Sequence, residues 1–463
     1  MTARSNNKYN PFVHNKRTLK VALYTLGCKL NQAETESLID QFHEAGYQPV
    51  SSNDIADIYI ANTCTVTQLA DRKSRHWLRL AKRRNPQALT IATGCYAQRA
   101  PQELIPIADL ILSNEEKEHL IESIRAFLFE ACPSHDYAGL AFCYSGEEKR
   151  LNKPAQNKSH QASSTTNGIF RVRSLVKIQD GCNSHCAYCI VPKVRTPQFC
   201  LPASEIISTI QGKVAIGYRE IILTGTKIGC YKDGNSNLAT LIKHILSNTR
   251  IERLRLSSLQ PQELSPDFLA LWQDNTLCPH FHLALQSGSD TMLKRMRRHY
   301  SLDAYGKMTE LIRQEIPAVA ITTDIIVGFP GESDEEFEQS YNFCQQTGFA
   351  NIHVFPFSVR PGTEAARMPD QVSTKVKRER TRRMLDLSQS CRHSFQQQFL
   401  GQTMAVLWEK ETNPQSGIYS GLTNNYIRVF THSEKPLSNE IAEVRLSGFH
   451  NQGMWGDLIE NSS

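Results

Sequence analysis

No run of about 18 apolar residues occurs in the 463-residue chain, which argues against a membrane-spanning helix. The first twenty residues, MTARSNNKYNPFVHNKRTLK, lack the apolar centre of a secretory signal, so a cytoplasmic protein is the expectation. Internal repeats and coiled-coil heptads are missing as well, which sets aside solenoids and long helical rods. Charge is also scarce in net terms: +6 overall does not by itself define a partner. Hydrophobic residues make up 40% of the chain, as in a water-soluble globular protein, and this length suggests about two to four cores.

Cysteine, by contrast, is plentiful. Thirteen cysteines in a protein expected in a reducing compartment point away from a disulfide framework and toward metal ligation. Charge, although small in sum, is concentrated. Arg72, Lys73, Arg75, Arg79, Lys82, Arg83 and Arg84 crowd one expected helix, and Lys375, Lys377, Arg378, Arg380, Arg382 and Arg383 crowd another. Such runs attract a phosphate backbone or simply solvate a helix face, and both readings stay open.

Residues 1–18 read as a disordered tail. Across 19–131, apolar runs (KVALYTLG, ADIYIANTC, ALTIATGC, DLILSNEE) alternate with helical periods, the pattern of an α/β unit with a parallel sheet. The first three of these strands run into Cys28, Cys64 and Cys95. Residues 132–168 are polar and aperiodic, a linker. Over 169–398 six strand candidates (VRSLVKIQD, REIILTG, RLRLSSL, FHLALQS, AITTDIIVGF, NIHVFPFS) each precede a helix or turn, which suggests a partial (β/α)6 barrel. From 399 to 463 short alternating segments around Gly and Asn turns read as a small antiparallel barrel of about five strands.

The sharpest chemical signal is GCNSHCAYC, which spaces Cys182, Cys186 and Cys189 as C-x3-C-x2-C after the first barrel strand. Three thiolates on one tight loop suit three irons of a cubane cluster and leave the fourth open. A zinc knuckle that adds His185 is the structural alternative. Cys28, Cys64 and Cys95 end neighbouring parallel strands, so they either converge on a second cluster or are packed thiols. Cys132, Cys143, Cys200, Cys230, Cys278, Cys344 and Cys391 form no comparable set. On the carboxyl rim, Thr224, Gly225, Ser257, Ser258, Gln286, Val327 and Gly328 are placed to contact a nucleoside-bearing cofactor or to serve as turn residues, and Arg298 to face an anion.

The segment GCNSHCAYC resembles the motif of the radical S-adenosylmethionine (SAM) superfamily. TLGCKLNQAETESL, ANTCTVTQLADRKSR and ATGCYAQ, followed in order by HLALQSGSD, DIIVGFPGE and FPFSVRPGT, resemble the tRNA methylthiotransferases. That resemblance implies an amino-terminal methylthiotransferase domain, a radical SAM core and a terminal TRAM barrel that binds RNA, with Tyr419, Tyr426, Phe430, Phe449, His450 and Trp455 as its aromatic supply. It implies two [4Fe-4S] clusters, one on Cys182, Cys186 and Cys189 that generates a 5′-deoxyadenosyl radical, and one on Cys28, Cys64 and Cys95 that delivers sulfur. SAM is implied twice per turnover, as radical source and methyl donor, with an electron donor, a sulfur source and the tRNA anticodon loop as partners, and neither membrane nor DNA.

Within the family, TLGCKLNQ is similar to the branch that acts on N6-threonylcarbamoyladenosine at tRNA position 37. The branches acting on isopentenyladenosine and on a ribosomal-protein aspartate are alternatives, and a non-catalytic RNA-binding metalloprotein is one of a different class. VPKVRTP after Cys189 departs from the tyrosine and Ala-Arg-Gly usual there.

Overall fold

The computed structural model describes residues 18–131, 172–195 and 197–459. The tail up to residue 17, the linker with Cys132 and Cys143, and the last four residues lie outside the described residues. Two compact units form: one drawn mainly from 18–131, the other from 172–459 together with the short segments Gly27–Glu36 and Thr65–Gln68.

The first unit is a five-stranded parallel sheet. Its strands are β1 (Lys20–Thr25), β2 (Gln48–Val50), β3 (Ile58–Thr63), β4 (Leu89–Gly94) and β5 (Leu110–Ile111), in the order β2-β1-β3-β4-β5. Every residue of β3 and β4 is buried, as expected where helices cover both faces. The period-2 alternation sorts them: Ile58 and Ile60 pack with Leu38 and Phe42 of α1 (Lys29–Glu44), while Tyr59 and Ala61 pack with Trp77, Leu78 and Ala81 of α2 (Gln68–Arg84). Strand β2, three residues long, shows no readable alternation and is absent from the sequence pattern.

The second unit holds all six expected parallel strands. Strands β6 (Arg173–Lys177), β7 (Glu220–Thr224) and β8 (Arg253–Leu256) form one sheet in the order β8-β7-β6. Strands β9 (His280–Leu283), β10 (Ala320–Val327) and β11 (Asn351–Pro356) form another, headed by the two-residue strand Ser258–Leu259 that continues from β8. Their interstrand helices start on polar caps. Asn237, Ser301 and Ser333 each accept a backbone N–H of the first turn, and Ser333 forms a full capping box with Glu336.

A closed five-stranded barrel completes the unit. It consists of β12 (Thr403–Glu411), β13 (Ile418–Thr423), β14 (Arg428–His432), β15 (Ile441–His450) and β16 (Gly453–Leu458) around Val406, Trp408, Val429, Val444 and Met454. It is fastened to the amino-terminal rim of the larger barrel. Arg253 donates to Leu422 O and Ala405 O, Arg255 donates to Asn424 O, and Asn425 donates to Ala318 O. The β13–β14 turn thereby pushes Tyr426, at φ 73°, under the barrel, where its ring stacks on His280 at 4.5 Å and lies 4.7 Å from the Arg255 guanidinium.

Of the two basic runs, part is spent internally. On α2, Arg75 pairs with Glu103 and Lys82 with Asp109. On the helix Thr374–Gln397, Arg380 pairs with Glu332 and Asp334 and Arg383 with Glu338, whereas Lys375, Arg378 and Arg382 have no partner among the described residues.

Arg255 and Glu220 are both fully buried and meet at 2.9 Å. Burial alone would raise the Glu220 carboxyl, but Arg255, Arg173 and Arg253 hold it below the ordinary value. Glu220→Gln leaves a buried guanidinium short of its counter-charge, and we expect a loss of about 3–5 kcal/mol in denaturant unfolding. Because the folded-state pKa is depressed, this contribution is present above the carboxylate range and fades as pH falls through it. Acid titration of the variant should therefore show a flatter stability profile.

Candidate functional site

Strand β6 leads through Gln179 and Asp180 into the loop of Cys182, Cys186 and Cys189. Gly181 sits at φ +70°, and a Cβ there would stand 2.6 Å from Pro197 O, so only glycine turns the chain at this point. The loop is pinned at Ala187 through both backbone groups: Ala187 N donates to Met296 O at 3.0 Å, and Ala365 N donates to Ala187 O at 2.8 Å. Tyr188 is packed beside a small cluster of Ala187, Met292, Met296, Phe329 and Phe357, so its ring holds the loop in place.

The three cysteines are half-buried and within electrostatic reach of one another. Burial pushes the Cys189 thiol up to about 12, and Cys186 and Cys182 push the same way, against the Val191 N–H and Arg298. Two donors face the sulfurs: Ser184 N reaches Cys182 Sγ at 3.4 Å and Arg298 Nη1 reaches Cys186 Sγ at 3.4 Å. Arg298 is set by Tyr300, whose hydroxyl takes its Nε–H at 3.1 Å, and its Nη2 is buried without any hydrogen-bond partner. Among the described residues no three His, Cys, Asp or Glu side chains are grouped closely enough to hold a single metal ion. A cubane cluster spreads its thiolates over separate irons, and this loop fits that demand: three thiols, flanking N–H donors, and one orphaned guanidinium donor ready for an anion.

The rim residues named from sequence line the carboxyl ends of successive strands. Thr224 ends β7, Ser257 follows β8, and Val327 ends β10. A Cβ at Gly225 would meet Gln179 O at 2.6 Å, so this glycine answers the protein's own backbone. Ser257 is buried with an unpartnered Oγ, while Ser258 is exposed. Gln286 adopts φ 71°, a left-handed conformation rare for a side chain with a Cβ, and its backbone is clamped by Asp324 O and Ile326 N. Gly328 is left-handed too, its N–H held by Glu332 at 2.6 Å. Polar atoms without partners thus collect on the rim at Ser257 and Arg298.

Cys64 and Cys95 directly follow Thr63 and Gly94, which are register partners in β3 and β4, and both are buried. Cys28 is exposed and belongs to the segment Gly27–Glu36 of the second unit. In that unit Arg195 donates to Asp180 at 2.8 Å, to Glu34 at 2.8 Å and to Asn31 at 2.6 Å, and Asn31 accepts from Cys28 Sγ at 3.8 Å. Arg195 and Asn31 were not singled out in the sequence. The only signal was that Arg195 is the arginine of the divergent VPKVRTP segment.

Lys29 was likewise not picked out. Burial draws its ammonium below the ordinary lysine range, Tyr426 and Glu220 oppose this, and Arg255 and Arg173 add to it. At the foot of the same barrel His282 Nε2 lies 3.2 Å from Asp324.

Comparison with known proteins follows the same division. The family described as uncharacterized protein family UPF0004 matches residues 20–113, and the Radical SAM superfamily matches residues 176–344. The chain is 35% identical to "Threonylcarbamoyladenosine tRNA methylthiotransferase MtaB" of Bacillus subtilis (strain 168), over 95% of this chain and 97% of that one. It is 31% identical to "tRNA-2-methylthio-N(6)-dimethylallyladenosine synthase" of Syntrophotalea carbinolica, over 94% and 99%. Among solved structures, the radical S-adenosylmethionine methyltransferase TsrM from Kitasatospora setae shares the fold, with TM-score 0.53 at 12% identity over 75% of each chain. No helix among the described residues is long and apolar enough to cross a membrane. A barrel with a three-cysteine loop, a five-stranded terminal barrel and full-length likeness to these enzymes together place the chain in the radical SAM tRNA methylthiotransferase family, whose members are iron–sulfur enzymes.

Proposed function

We propose that the protein adds a methylthio group to C2 of N6-threonylcarbamoyladenosine at position 37 of tRNA, in the cytoplasm. The observation that carries this reading is the 35% identity, spanning nearly both whole chains, to a relative named for that nucleoside. The 31% likeness to a dimethylallyladenosine enzyme supports the isopentenyl substrate as a second reading.

Cys182, Cys186 and Cys189 would hold one [4Fe-4S] cluster, and Cys28, Cys64 and Cys95 a second. When bound and reduced, the cluster held by Cys182, Cys186 and Cys189 would supply one-electron reductive cleavage of SAM, the chemistry that an unreactive C–H bond requires. The protein's own share is placement. Thr224, Ser257, Ser258 and Gln286 offer hydroxyl and amide groups to a ribose and an amino acid. Gly225, Val327 and Gly328 would bring backbone close to the cofactor, and the orphaned Nη2 of Arg298 is available to a carboxylate. Two SAM molecules per turnover, an electron donor and a sulfur source complete the reading, with residues 19–131, 169–398 and 399–463 as sulfur-delivery, radical and RNA-binding domains.

Nucleoside mass spectrometry of total tRNA with and without the gene tests the substrate. Loss of the 2-methylthio mark from threonylcarbamoyladenosine alone is expected, and loss from isopentenyladenosine instead would favour the second reading. For the division of labour, alanine at Cys182, Cys186 or Cys189 should abolish formation of 5′-deoxyadenosine. Alanine at Cys28, Cys64 or Cys95 should spare it and block methylthiolation, and a full methylthiolation yield in that second set would refute the assignment.

Because the β13–β14 turn satisfies Arg253 and Arg255, cutting the terminal barrel away would damage the larger one, so point changes are the cleaner probe of RNA binding. Tyr419 is core and Tyr426 is inserted under the barrel, while Phe430, His450 and Trp455 pack edge to face. Phe449, 43% exposed with one face of its ring against His393 at 4.1 Å, and the exposed Arg445 on the same strand offer a surface to a nucleic acid. Arg445→Ala with Phe449→Ala should weaken tRNA binding by about tenfold or more and reduce the log–log salt slope by roughly one, measured by filter binding across a salt series.

A further inference from the structure

The helix Thr374–Gln397 spends one face on packing, where Arg380, Met384, Leu387, Ser388 and Cys391 are buried. On the opposite face Lys375, Arg378, Arg382, Leu385, Gln389 and His393 recur every three or four residues, and all of them are exposed. From Lys375 to His393 this stripe runs about 27 Å at the helical rise. Its three leading cations have no ion-pair partner among the described residues, and the exposed acids of the same helix, Glu379 and Asp386, stand to one side of it.

The stripe ends in a cleft of about 960 Å³ between the helix, the edge strand β11 and the β15–β16 turn. Gln396 ties helix to turn by donating to Gln452 O at 3.2 Å. Ser388 covers the outer edge of β11, bonding Ile352 N at 3.1 Å and Ile352 O at 2.9 Å. Asn351 Oδ1 fixes the Arg392 guanidinium, accepting from Nε at 3.2 Å and Nη2 at 2.6 Å, and no carboxylate neutralises it among the described residues. Phe355, Leu385 and Phe449, each more than 40% exposed, line the same cleft, and Phe449 turns one ring face to His393 at 4.1 Å.

A row of unpaired cations by itself is a solvated helix face. Spread over this length it cannot converge on one small anion, and it leads straight into a cleft that exposes two aromatic rings beside a fixed guanidinium. Evenly spaced positive charge joined to an aromatic platform matches a polymer of phosphates and bases. We propose that stripe and cleft form a track for the substrate RNA, with phosphates along Lys375, Arg378 and Arg382 and an unstacked nucleotide held in the cleft by Arg392, Phe355 and Phe449. This rests on the tRNA reading above and deepens it, because it extends the surface at Arg445 and Phe449 onto a helix of the larger barrel. No bond forms or breaks there; the track positions the RNA.

The experiment measures tRNA binding to the reconstituted full-length protein by filter binding across a salt series. It compares wild type with a stripe variant (Lys375→Gln, Arg378→Gln, Arg382→Gln) and with a control that removes the same charge elsewhere (Lys232→Gln, Lys243→Gln, Arg250→Gln). The stripe variant should bind at least tenfold more weakly at about 150 mM salt, with a log–log slope shallower by about two to three, and the control should keep the wild-type slope to within about half a unit. Formation of 5′-deoxyadenosine without tRNA should be equal in all three. In otherwise unchanged protein, a benzophenone side chain at position 385 should crosslink to tRNA on irradiation. A stripe variant with the affinity and slope of wild type, or a benzophenone that crosslinks only to a second copy of the chain, overturns the track and leaves the tRNA reading standing. A wild type that binds no tRNA overturns both.

Discussion

One guanidinium ties the two cysteine-bearing segments of the second unit together. Arg195, only 4% exposed, meets carboxylates of Asp180 and Glu34 and the amide oxygen of Asn31. Asp180 also takes the N–H of Gly181, the residue that turns the chain into the Cys182 loop, and Asn31 takes the thiol of Cys28. A buried arginine between two acids is costly to assemble and costlier to break, since losing any member strands charge in a low-dielectric interior. The position of Cys28 relative to the loop is therefore set by the folded chain itself. Such support is what a site needs when its cofactor must find ligands already in place.

The two rims of the larger barrel have been given different tasks. At the amino-terminal rim Arg253 and Arg255 spend their donors on carbonyls of the small barrel and on Glu220. At the carboxyl rim the balance is reversed: the Ser257 hydroxyl and Arg298 Nη2 are buried without partners, and Gln286 is held left-handed. Unsatisfied groups and backbone strain are tolerated only where surrounding structure enforces them, and they collect here where a cofactor would sit. The small barrel is consequently part of the larger barrel's foundation, through the turn that carries Tyr426.

The large-scale architecture was legible because parallel strands announce themselves as apolar runs. All six barrel strands and the five of the terminal barrel lie where their patterns indicate. Spacing revealed the Cys182 loop because three cysteines fall within eight residues. What stayed hidden depends on distance in sequence. Arg195 and Asn31, for example, are 164 residues apart. The basic helices misled in part, because composition does not show that Arg380 and Arg383 already answer Glu332 and Glu338. Composition could not sort the aromatics either: Tyr426 stands on a left-handed backbone, and its ring stacks on His280 of the larger barrel.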